Sequence, residues 1–180
     1  VVNVQTSDPG AYRAYLIENP EIFEALGAES GGTCTTVSGH RYPGQAFAFS
    51  FYNDAGSAFK AATRFANMSR SAELDAISSV VSAEFYAVIK PFTLPPGFER
   101  RYQIVVNDAA AYVAAATKLE QAMQANGHKV EVGIFQPLGN GHQKANVLDV
   151  RIFAVEPEVA GMMVNDFLQR KAWALEPYGE

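Results

Sequence analysis

The chain has 180 residues, a net charge of −5, 48% apolar and 18% charged residues. This is the mix of a packed chain rather than a disordered one, long enough for one ordinary domain or two small ones. The acidic balance argues against a nucleic-acid footprint, the single cysteine (Cys34) excludes an internal disulfide or a thiolate zinc site, and no apolar run reaches the roughly 18 residues of a membrane span.

Val2-Asn3-Val4-Gln5 alternates and predicts a first strand. Asp8 caps a helix with Pro9 at its first position, where the missing N–H costs nothing. Asn19-Pro20 interrupts that helix, and Asn19 is expected to cap a second piece that carries Ile22, Phe23 and Leu26 inward and stops at Gly27. Thr33 to Ser38 predicts a second strand, Gly39 to Gly44 a turn, and the alternation of Phe47, Phe49 and Phe51 a third strand. Asp54 caps the next helix through Phe65, a short helix is expected from Ser71 to Val81, and Phe85 to Ile89 predicts a fourth strand. Prolines 91, 95 and 96 with Gly97 read as a linker that includes Arg100.

The same order then recurs about 100 residues on. Ser7-Asp8-Pro9-Gly10-Ala11-Tyr12 is echoed by Asn107-Asp108-Ala109-Ala110-Ala111-Tyr112, and Val2/Val4 by Tyr102/Ile104. Asp108 caps an unbroken helix to about Asn126, with Gly127 as its stop; Val130, Val132 and Ile134 alternate in a strand. Gly139 to His142 makes a turn, and Leu148, Val150 and Ile152 alternate in a strand matched to Phe47, Phe49 and Phe51 at an offset of 101. A helix opens at Glu156-Pro157; only 13 residues follow Phe167, so the last strand of the second copy is missing, supplied by Trp173 and Leu175, or lent by another chain.

Each copy reads β-α-β-β-α-(β), the split βαβ plan. The expected organisation is a first unit over 1–92, a linker over 93–100 and a shortened second unit over 101–180. Phe85 to Ile89 is apolar on both faces, so the sheets want cover on both sides.

With this element order, the duplication, the double-sided strand, and the helix from Tyr12-Arg13-Ala14-Tyr15 to Gly27 followed by Gly31-Gly32, Gly39 and Gly44, the chain resembles the dimeric α+β barrel superfamily, antibiotic-biosynthesis-monooxygenase-like members included. The resemblance implies tandem ferredoxin-like units with antiparallel sheets packed into an α+β barrel, helices outside. It implies activities ranging from cofactor-independent oxygenation of aromatic compounds to haem chemistry and simple binding. Fold alone does not choose among them.

The candidate ligand pocket is placed in the first, aromatic-rich unit, with Tyr12, Tyr15, His40, Tyr42, Tyr52 and Tyr86 as lining residues. His40 and His142 occupy equivalent turns and read either as paired functional groups or as exposed turn histidines; His128 complements a helix C-terminus. Asp149 and Arg151 share a strand face and are a polar anchor or a buried ion pair if that face is covered. No metal pattern, phosphate loop or Ser/His/Asp triad is present in the sequence. The functional expectation is a small-molecule-binding protein for an apolar or aromatic compound, acting without a cofactor as a monooxygenase-like enzyme. The alternatives are a non-catalytic assembly module with a free sheet edge, forming a homo-oligomer, and a haem-binding protein. The start at Val1 leaves a secreted or periplasmic location open.

Overall fold

The computed structural model describes residues 1–93, 97–139, 141, 144 and 146–175. The chain divides into two compact units, Val1–Phe85 and Tyr86–Glu180. The first contains β1 (Val2–Thr6), α1 (Pro9–Glu18), α2 (Glu21–Leu26), β2 (Ser30–Thr35), β3 (Gln45–Phe51), α3 (Ala55–Asn67), α4 (Ala72–Ile77) and β4 (Ser78–Ala83). Its antiparallel sheet runs β2-β3-β1-β4, the order that a β-α-β-β-α-β unit needs. The second contains β5 (Tyr86–Lys90), β6 (Phe98–Val105), α5 (Ala109–Ala125), β7 (Val130–Pro137), β8 (Val147–Ala154), α6 (Pro157–Leu168) and α7 (Ala172–Leu175). Its sheet runs β5-β7-β8-β6, so the β7-β8-β6 order repeats β2-β3-β1. The fold is α+β with two antiparallel four-stranded sheets; the strands do not close into the expected barrel, because each ladder stops at its own edge strands.

The helix starts follow the caps. The side chains of Asp8, Asp54 and Asp108 accept hydrogen bonds from the N–H groups of Ala11, Ser57 and Ala111, satisfying donors that a helix start leaves open. Asn19 differs from expectation: it closes α1, its side-chain amide donating to the Tyr15 carbonyl, and α2 starts from Pro20 without a side-chain cap. Gly27 ends α2 with φ 76, a left-handed position where glycine carries no steric penalty.

Five other segments depart from the sequence reading. β2 begins at Ser30, before the β-branched run, because Gly31 and Gly32 lie beneath aromatic rings: a Cβ on Gly31 would come within 2.4 Å of Phe23, and one on Gly32 within 2.8 Å of Phe49. The stretch expected to continue a helix to Val81 becomes β4, since Val4 to Thr6 offer an open edge that Ser78 to Val80 can pair with. The strand expected over Phe85 to Ile89 as the last of the first copy forms as β5, Tyr86–Lys90, and pairs with β7 in the second sheet. Arg100 and Arg101, expected in or beside a linker, stand inside β6 opposite Ile152 and Arg151. At the end of the chain Trp173 and Leu175 belong to the short helix α7, not a strand. Beside β6, where the first unit places β4, no strand stands among the described residues.

Both units bury one sheet face under helices. In the first, Val4, Tyr12, Leu16, Ala46 and Leu74 form the core. Tyr15 packs on it and shares a 2.7 Å hydrogen bond with Ser71. In the second, Met123, Ile134, Leu148, Val150 and Met163 are buried together. A buried ion pair joins Lys90 to Glu120, and the ammonium also donates to the Val132 carbonyl at 2.9 Å, fastening α5 to the irregular β5–β7 ladder.

Tyr12 is 3% exposed, and burial pushes its phenol up to about 12 against the opposing field of Arg70. Burial favours the neutral, protonated phenol, so the folded chain holds that proton more tightly than the unfolded chain does. The stabilisation is intact below pH 10 and is lost as the pH rises through about 12. Urea titrations of wild type and Tyr12→Phe at pH 9 and pH 11.5 should show wild type losing more stability over that interval, by up to about 2 kcal/mol; equal losses would contradict this account of Tyr12.

Candidate functional site

Pairing with the first strand of each unit aligns the two copies. Val4 pairs with Ala46 and Val2 with Ala48; Ile104 pairs with Leu148 and Tyr102 with Val150. The structural offset between β3 and β8 is therefore 102, not 101. A one-residue slip exchanges the two faces of a strand. Leu148, Val150 and Ile152 are thus equivalents of Ala46, Ala48 and Ser50, while Asp149, Arg151 and Phe153 answer Phe47, Phe49 and Phe51.

On the helix-facing side the second unit has moved bulk from helix to sheet. Small Ala46 and Ala48 become Leu148 and Val150. In return, the first helix carries Ala115 and Ala116 where α1 carries Tyr15 and Leu16, by the echo that aligns Tyr12 with Tyr112. The exchange does not fill space evenly. A cavity of about 390 Å³ lies between the sheet and helices α5 and α6. Tyr102, Val150 and Ile152 form its sheet wall; Ala115 and Ala116 stand on the α5 side, Met163 and Phe167 on the α6 side. In the first unit, Leu74 and Ile77 of α4 pack against the corresponding core. In the second unit the chain turns at Arg170 (φ 50) into α7, whose Trp173 packs against the core and on Phe167 and His128. Leu168, 75% exposed, lies at the cavity's rim.

Arg100 is the only charged residue among the described lining residues. Its guanidinium stands 5.4 Å from the ring centroid of Tyr102, a cation–π contact, and no carboxylate reaches it among the described residues.

The opposite face of this sheet is charged and buried. Arg101 and Arg151 are direct cross-strand partners, a repulsive arrangement if left alone. Asp149 lies one side-chain position along that face and is ion-paired to Arg101, with a 2.7 Å hydrogen bond from the Arg101 Nε. Glu99 lies on the other side, 3.5 Å from Arg151. Arg151 also sits over the Phe135 ring at 5.0 Å, and Arg101 approaches the Tyr86 hydroxyl at 3.4 Å. Burial raises the Glu99 carboxyl, while Arg151 and then Arg101 pull it back down. Gly133, opposite Arg151, is small because Phe92 and Phe153 stack beside it, centroids 4.0 Å apart.

The sequence candidates therefore separate. Tyr12 and Tyr15 join the first core, and Tyr42 and Tyr52, half-buried, flank β3 in the chain. His40 is exposed beside an open groove lined by Thr6, Thr36 and Gly44. Tyr86 belongs to the second unit, near the Asp149–Arg151 cluster. His142 lies outside the described residues. His128 is buried, its Nε2 2.9 Å from Asp166, whose carboxyl is held below its usual range by hydrogen bonds from Lys171 and then His128. Cys34 is half-buried on β2 opposite Phe47. The described residues hold no cluster of potential metal ligands, and none of their helices is long and apolar enough to cross a membrane. The cavity residues Arg100, Tyr102, Ala115 and Ala116 escaped the sequence reading; the signal was the substitution of Tyr15 and Leu16 by two alanines at matched helix positions.

No family model matches the chain, and no curated protein matches it in sequence.

Removing one charge from a buried network leaves its partner desolvated and unpaired. Asp149→Asn, nearly the same shape, should lower stability by about 3–5 kcal/mol in chemical denaturation; a loss under about 1 kcal/mol would show that Asp149 does not hold the two arginines together.

Proposed function

We propose that this chain binds a small, mainly apolar molecule in the cavity of its second unit. The observation that carries the reading is a hollow of about 390 Å³ under the sheet, walled by aliphatic and aromatic side chains, in a unit whose counterpart fills the matching positions with Tyr15 and Leu16. That volume falls within the roughly 300–1,000 Å³ of ligand pockets, toward the small end. The tandem βαβ-type plan and a pocket between sheet and helices support kinship with the dimeric α+β barrel superfamily, although the two sheets are not closed into a barrel.

Binding stands ahead of catalysis in this proposal. The described lining offers one cation, Arg100, and two phenols, Tyr102 and Tyr112, but no carboxylate or imidazole to accept a proton. Cofactor-free oxygenation of an aromatic compound would have to draw on those phenols. A haem held by a proximal histidine does not fit, since no histidine is among the described lining residues. A second reading, assembly of copies through strand pairing, is favoured by the outer edge of β6, which carries no partner strand among the described residues. Native mass spectrometry separates the two: a bound small molecule on a monomer supports the first, a ligand-free homo-oligomer the second.

Trp173, the chain's only tryptophan, packs on Phe167 at 5.5 Å, and Phe167 lines the cavity, so its emission reports on occupancy. Titration with the neutral fluorophore N-phenyl-1-naphthylamine should saturate and shift the Trp173 emission. Ala116→Leu, which restores the residue of the first unit, should weaken that binding about tenfold or more without loss of stability, because it fills a void with apolar volume. Equal binding by wild type and the variant would contradict the proposed site.

A further inference from the structure

We infer that the cavity takes a monoanionic ligand, an apolar body ending in a carboxylate, and that Arg100 holds the acid group. The inference rests on the binding reading above and names its ligand class. Its ground is the contrast among the three arginines on β6 and β8. Arg101 is paired with Asp149, and Arg151 with Glu99, both on the face away from the helices. Arg100 alternates to the helix-facing side, where its neighbours on the strand face are Phe98 and Tyr102.

A guanidinium carries five N–H donors in a planar fork and cannot shed its charge. The Tyr102 ring attracts that charge electrostatically but accepts none of the five donors along the fork. Half-buried beside apolar walls, the donors have less water than on an open surface, and no carboxylate meets them among the described residues. A carboxylate from outside answers this arrangement: it can accept two parallel N–H bonds while its alkyl or aryl body enters the hollow. The contact with the Tyr102 ring also restrains the guanidinium before the ligand arrives, so less rotamer freedom is lost on binding.

A matched pair of ligands tests this. Octanoate and 1-octanol share an alkyl chain and differ in charge at pH 7.5. Each is used to displace N-phenyl-1-naphthylamine from the full chain, followed by Trp173 emission. Wild type should prefer octanoate by about tenfold or more, the range of a charge-assisted hydrogen-bonded pair. Arg100→Leu should abolish that preference by weakening octanoate far more than 1-octanol, and Arg100→Lys should retain part of it. Equal displacement by the two ligands in wild type overturns the inference while the cavity reading stands, and that comparison needs no variant to fold. If the fluorophore itself fails to bind wild type, the cavity reading falls and takes the inference with it.

Discussion

Alternation along β6 sends Arg100 and Arg101, neighbours in sequence, to opposite faces of one sheet. Everything distinctive about the second unit depends on that pleat. On one face Arg101 enters a network of two guanidiniums and two carboxylates; on the other Arg100 stands with Tyr102 beside an apolar hollow. A register slip of one residue between β6 and β8 would bring Asp149 to the helix side and Leu148 to the other, destroying both arrangements at once. The charged network thus acts as a register lock. Its ions lose hydration on burial, and their mutual attraction does little more than offset that loss, but any misaligned pairing leaves a charge unmet in the interior.

The cavity follows from unequal repair of a duplicated core. A core of this kind tolerates exchange of bulk between facing elements when the total volume is conserved. Here helix α5 carries Ala115 and Ala116 in place of Tyr15 and Leu16, while β8 carries Leu148 and Val150 in place of Ala46 and Ala48, and α7, in the chain position of α4, sets Trp173 against the core where α4 sets Leu74 and Ile77. Side chains left without partners on one side forfeit contacts that dense packing normally supplies. A molecule of suitable size regains them, which is the physical case for reading the hollow as a binding site.

Much of the fold was legible in local sequence. The capping aspartates, Gly27, and the alternation of β3, β7 and β8 all act through nearest neighbours, and each appears where it was expected. What escaped notice depended on partners distant in sequence. Val80 and Val81 read as the end of a helix until the edge of β1 is available to pair with. Arg100 reads as linker until β8 supplies Ile152 opposite it. The site was sought among the aromatics of the first unit, but large rings such as Tyr12 fill space rather than enclose it, and Phe47, Phe49 and Phe51 lie on the strand face opposite to Ala46 and Ala48 of the core. The inequality of the two copies was visible; which copy was hollow turned on two alanines that look unremarkable in any helix.

The central claim is that the second unit is hollow between its sheet and helices while the first is filled. Xenon enters dry apolar cavities and scatters strongly enough to be located in a pressurised crystal. The account predicts a xenon site beside Ala116 and Met163, and none beneath Tyr12 and Leu16. Xenon in the first core, or none beside Ala116, would contradict it.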